Sequence, residues 1–215
     1  MTMSFKGPDS DCQLCPRLVD FRNGLKAKHP DWHNAPVPSF GPLKAKLLVV
    51  GLAPGMQGAN RTGRPFTGDY AGDLLYATLG RHGFTDGTYD RRPDDGLRLV
   101  DCRIANAVRC LPPANKPTGA EANACRPFLI DEIKAMPNLV AILALGRIAH
   151  DAVLRTLGIK LKEAPFGHGA LHSIAEGPIL ADSYHCSRYN TNTGRLTEAM
   201  FDQVIGAIRG RIDSA

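Results

Sequence analysis

Four short apolar runs punctuate this chain, each leading into a polar or glycine-rich loop and then into a stretch with helical spacing. The first, residues 46–50 (KLLVV), reads as a buried strand ending at Gly51. It is followed by a helix over 69–81, with Leu74, Leu75, Thr78 and Leu79 as its apolar stripe. A second strand is expected within 98–108, then a helix over 121–135 stopped by Pro137. A third strand over 139–145 precedes a helix over 147–157, and a fourth over 179–184 precedes a last helix over 197–209. Strands and helices in this alternation predict an α/β protein with a parallel sheet covered on both faces.

Open parallel sheets bind ligands outside the carboxyl ends of their strands. That rule selects the loops 51–68, 106–117, 146 onward and 185–195. With 215 residues and neither an internal repeat nor a low-complexity tract, the chain is expected to form a single domain over 1–215. No apolar run is long enough to cross a bilayer. Residues 1–11 lack the apolar stretch of a secretory signal, so a cytoplasmic, reducing setting is expected.

In that setting the six cysteines point to metal or catalytic use rather than disulfides. Cys12 and Cys15 form a C-x2-C pair in an N-terminal arm, residues 1–20, and Cys110 and Cys125 follow much later. Four thiolates from distant segments suit a tetrahedral zinc or a four-iron, four-sulfur cluster, and spacing leaves both open. Cys102 and Cys186 read as structural.

Basic residues outnumber acidic ones by 26 to 21. Two stretches, 103–120 and 183–197, contain no acid at all while carrying Arg103, Arg109, Lys116, Arg188 and Arg195. Neutral-to-basic loops of this kind suit a phosphate backbone. The loop 51–69 holds five glycines, which let backbone approach a ligand, but it lacks the Lys-Ser/Thr ending of a nucleotide P-loop. Phe66 within it offers a ring to stack on a base, or else anchors the loop on the core. Asp69 reads first as a helix N-cap, and a carboxylate there could also orient water or stabilise positive charge on a sugar. Asn106 presents a donor and an acceptor together, the pairing that O4 and N3–H of uracil require. His185, at the end of the fourth strand, is placed to hydrogen-bond an oxygen that gains negative charge.

Together the segments GLAPG, GANRTGRPFTGD, NAVRCLPPANKP and YHCSRYNTNTGRLT, with the cysteine quartet, resemble the iron–sulfur uracil-DNA glycosylases, specifically their family 5 branch. The likeness runs from Cys12 to Thr197 in the family's order. It implies a three-layer α/β/α sandwich around a four-stranded, mainly parallel sheet. It implies a [4Fe-4S] cluster on Cys12, Cys15, Cys110 and Cys125. It matches Phe66 with the stacking aromatic, Asn106 with the base-reading residue, and His185 with the histidine near the leaving group. Gly51, Leu52, Ala53 and Gly55 match the motif whose backbone lines the pocket. Leu52 and Ala53 stand where other branches carry a water-positioning polar residue, and Asp69 matches the residue suggested to take over that role. Cys186 departs from the small aliphatic expected after His185.

The activity implied is monofunctional hydrolysis of uracil, and of other deaminated bases such as hypoxanthine, from double-stranded DNA, initiating base excision repair. No lysine is placed to form a Schiff base. Arg188, Asn190, Arg195, Arg109 and Lys116 would contact DNA, with the loop 185–195 entering the minor groove. The expected enzyme is a monomer with no membrane partner. A non-catalytic damaged-DNA-binding protein of the same fold is the alternative.

Overall fold

A computed structural model describes residues 5–175 and 177–215; the first four residues of the predicted arm lie outside the described residues. Helix α1 spans Pro16–Lys28, with proline at the start where its missing N–H costs nothing. Strand β1 (Leu47–Gly51) follows, then the short α2 (Ala59–Thr62) and α3 (Tyr70–Arg81). Strands β2 (Thr85–Asp86) and β3 (Arg98–Leu99) form a small antiparallel ribbon ahead of β4 (Cys102–Asn106). Next come α4 (Gly119–Lys134), β5 (Ala141–Leu145) and α5 (Arg147–Thr156). The chain closes with β6 (Leu171–His172), β7 (Ile179–Ser183), α6 (Arg188–Asn192) and α7 (Glu198–Asp213).

The main sheet has the order β4-β1-β5-β7-β6. Its first four strands are parallel, as the apolar runs predict. The fifth corrects the four-stranded expectation: β6 pairs antiparallel to β7 through Leu171 and His172, two residues with no apolar run to announce them. The segment 98–108 yields two strands because Asp101, between them, takes a left-handed φ of 49° that extended pairing cannot accommodate.

Every residue of β1, β4 and β5 is buried, so both sheet faces carry core. Along β1 the side chains alternate. Leu47 and Val49 join Leu75 and Leu79 of α3 and Phe201, Ile205 and Ile208 of α7. Leu48 and Val50 pack on the other side with Leu129 of α4 and Val153 and Leu154 of α5. These are the three layers of an α/β/α sandwich. Helix α4 is started by a reciprocal capping box: Thr118 Oγ1 accepts from Glu121 N at 3.3 Å and Glu121 Oε2 from Thr118 N at 2.7 Å.

At the β4 edge a single antiparallel bridge closes the ladder, Phe40 N donating to Ile104 O at 2.9 Å and Ile104 N to Phe40 O at 2.8 Å. Among the described residues no helix is long and apolar enough to cross a membrane.

Candidate active site

Parallel pairing places Gly51 opposite Asn106, so β1 and β4 end side by side. A β-carbon on Gly51 would meet Asn106 Oδ1 and come within 2.7 Å of the Phe66 ring. The glycine is therefore a floor over which the two side chains close. Above it opens a cavity of about 280 Å³, lined by Leu52, Ala53, Gly55, Phe66, Asp69, Asn106 and His185. The loops from three separate strand ends thus bring these residues to one cavity, with Gly51 beneath Asn106 and Phe66. Pro54, Ala59, Ala71 and Asn115 complete the lining. Asn115 is the polar residue that sequence reasoning missed as a site member. It reaches the cavity through a turn in which Ala114 and Asn115 both have left-handed φ, 54° and 56°; the tolerance of asparagine for that region was the available signal.

Phe66 is buried and also left-handed, at φ 51°, which is costly for an aromatic residue. Its ring centroid lies 5.9 Å from that of His185, with the planes inclined by 33°. Asn106 Oδ1 is buried without a hydrogen-bond partner among the described residues, and so is Asp69 Oδ1. Asp69 occupies the N-cap position of α3 but makes no side-chain capping bond. Its carboxylate instead packs over Gly55 and Gly58, where a β-carbon would collide with it. Burial pushes the Asp69 pKa up, against the opposing pull of the Gly72 and Ala71 amides. Burial pushes the His185 pKa down, which keeps that imidazole neutral.

The cysteines of the arm and of the 110–125 segment meet in a second cavity, lined by Cys12, Cys15, Cys110 and Cys125. Arg22 approaches Cys110 Sγ at 3.8 Å, and the Arg109 amide donates to Cys125 Sγ at 3.4 Å. Among the described residues, the potential ligand atoms of His150, His172 and Asp182 lie within 4.8 Å of one another; no three cysteine sulfurs do. The arm is also tied by protein contacts. Arg17 binds Glu121 through two 2.7 Å bonds and donates to Lys116 O at 3.1 Å.

The family described as the uracil DNA glycosylase superfamily matches residues 38–209 of this sequence, a span that includes every wall of the larger cavity. The chain belongs to the uracil-DNA glycosylase superfamily. Within that superfamily it is similar to the type-5 uracil-DNA glycosylase of Thermus thermophilus, 44% identical over 200 residues that make up 90% of each chain. The Mycobacterium tuberculosis type-5 uracil-DNA glycosylase is 43% identical over 204 residues, 91% of this chain and 76% of the relative. A type-4 uracil-DNA glycosylase of Pyrobaculum aerophilum is 37% identical over 149 residues, 69% of this chain and 62% of the relative. The type-5 branch is therefore the one to which this superfamily member belongs.

In this glycosylase-family fold the loop after β7 carries α6 at its tip. Arg188 lies 5.2 Å over the Tyr70 ring and the exposed Arg195 4.7 Å over Tyr184. Asn190 turns inward and donates to His185 O at 2.8 Å, so its carboxamide holds the histidine's backbone. Lys116 is exposed. Arg109, expected from the sequence to contact DNA, is 1% exposed and bound by Glu132 and Ser39. Cys186 is fully buried in the α3/α7 core, where it acts as the small hydrophobe its position requires, and burial raises its thiol to about 12.

Proposed function

We propose that the chain is a monofunctional uracil-DNA glycosylase, and that uracil flipped from double-stranded DNA enters this cavity. The observation that carries this reading is the buried, unpartnered Oδ1 of Asn106 beside Phe66. A buried acceptor left unpaired costs about 1–3 kcal/mol, and N3–H of uracil would relieve it. The companion Nδ2 would donate to O4, while cytosine presents the opposite pattern and is refused. Phe66 stacks on the ring, an interaction worth roughly 1–3 kcal/mol per base. Because extrusion is least costly from a mispair, U opposite G is the favoured substrate, and hypoxanthine is the natural second.

In the reaction the bond between C1′ and the base nitrogen breaks, and its electron pair leaves with the base. Neutral His185 donates a hydrogen bond to the oxygen on which that charge gathers. Ionised Asp69 faces the positive charge left on the sugar and orients a water, with Asn115 also lining the cavity. The water oxygen bonds to C1′ and its proton passes to solvent or the departing base. The products are a free base and an abasic site, where base excision repair begins. Arg188, Arg195 and Lys116 contact phosphates, and the enzyme works inside the cell as a monomer.

Cys12, Cys15, Cys110 and Cys125 hold a [4Fe-4S] cluster in this reading. Four cysteines lining one cavity, with N–H groups of Arg22 and Arg109 directed at two of the sulfurs, form a donor set that suits such a group. The cluster supplies structure, fastening the arm to the 110–125 segment.

The test is single-turnover incubation of the iron-loaded protein with end-labelled duplexes containing U, hypoxanthine or normal bases, followed by alkali. Alkali-dependent cleavage at U that is lost in His185→Ala supports the proposal. No cleavage of any deaminated base would leave a damage-binding protein of the same fold.

A further inference from the structure

Phe66 holds a backbone conformation that its side chain does not favour, so something must impose it. The φ of 51° is met on one side by Tyr89, whose hydroxyl donates to Phe66 O at 3.2 Å and accepts from Gly68 N at 3.4 Å. Gly72 permits this closure, since a β-carbon there would strike both Phe66 O and the Tyr89 hydroxyl. Tyr89 comes from the segment between β2 and β3, far from the pocket in sequence.

That segment is itself fastened by a buried ion pair. Arg64 binds Asp95 through bonds of 2.8 and 2.7 Å, with the two side chains 6% and 1% exposed. The guanidinium lies 5.8 Å from the Tyr89 centroid and 5.7 Å from that of Tyr76, whose hydroxyl donates to Pro65 O at 2.6 Å. Each residue flanking Phe66 is thus gripped. Arg64 Nε also donates to Thr67 Oγ1 at 2.8 Å. None of these groups lines the base cavity, so their effect on chemistry must pass through the ring they hold.

We propose that Tyr89, seated by the buried Arg64–Asp95 pair, is a positioning residue that locks Phe66 in its left-handed conformation and so presets the stacking ring before a base arrives. The inference rests on the reading of Phe66 as the stacking aromatic. Preorganisation of this kind acts on the reacting geometry rather than on duplex affinity. Burial raises the Tyr89 phenol to about 12, so the hydroxyl remains a donor throughout the neutral range.

A double-mutant cycle tests it, using single-turnover rates at saturating enzyme on a U·G duplex together with duplex affinity. Tyr89→Phe is expected to slow cleavage about ten-fold in the parent, with affinity unchanged, and less than about two-fold when Phe66→Ala is already present. Asp95→Asn passed through the same cycle gives a second, independent coupling should Tyr89→Phe fold poorly. If Phe66→Ala alone leaves the rate unchanged, the stacking reading falls and the lock with it. If Phe66→Ala slows the reaction while Tyr89→Phe has no effect, or slows both backgrounds equally, stacking stands and the positioning role is overturned.

Discussion

Gly51 and Asn106 are register partners at the ends of adjacent parallel strands, and the absence of a side chain on the first makes room for the carboxamide of the second. Gly51→Ala should therefore displace both Asn106 and Phe66 with no change in fold. A misplacement of about 1 Å can cost on the order of 10² in rate. We expect a loss of that size in single-turnover cleavage, with thermal unfolding close to the parent's.

Asp69 should trade stability against activity. Its pKa is raised, so the native state holds the proton more tightly than the unfolded chain. The ionised form consequently costs stability above the raised pKa, and stability recovers as pH falls through it. Asp69→Asn should raise stability at neutral pH by about 1 kcal/mol, the cost of one uncompensated buried group. The same variant should lose cleavage. Thermal unfolding and single-turnover rates on one preparation check both halves.

His185 carries the opposite sign. Its pKa is lowered, so the unfolded chain takes up the proton first as pH falls below the ordinary histidine value. Stability should decline over that interval and level off below the depressed value, and His185→Gln should flatten the decline. Loss of the donor in His185→Ala should cost about 10²–10³ in rate, with glutamine restoring part of it.

Glu132 receives Arg103 Nε at 2.6 Å and also binds Arg109, all within the core. Glu132→Ala leaves two buried cations without their partner and should cost about 3–5 kcal/mol, read by denaturant unfolding. For the same reason Arg109→Met should leave the salt dependence of duplex binding unchanged. Arg195→Ala, on the exposed loop, should reduce its slope by about 1.

Much of this architecture was legible because it depends on neighbours in sequence. The runs at β1 and β5 are apolar on both faces, and a fully buried parallel strand demands that pattern. Asn106 and His185 could be singled out because each ends or follows a strand, and Asp69 because it opens a helix. What escaped depends on distant partners. Helix α1 is largely polar and buries only Leu18, Arg22 and Leu25, too faint a stripe to notice. The burial of Arg109 against Glu132 of α4 depends on a partner 23 residues away, which the local sequence does not announce. Asn115 enters the cavity because two consecutive residues turn left-handed, which no periodicity records.

A row of unpaired strand amides is a template onto which another chain can add, the usual route from a folded sheet to aggregates. Here Phe40 occupies the outer hydrogen bonds of Ile104 on β4, and on the opposite flank the last strand is two residues long and runs against the others. A newcomer thus finds no extended ladder to continue at either border. The sheet is self-terminating, so that two copies can meet edge to edge without either extending the other.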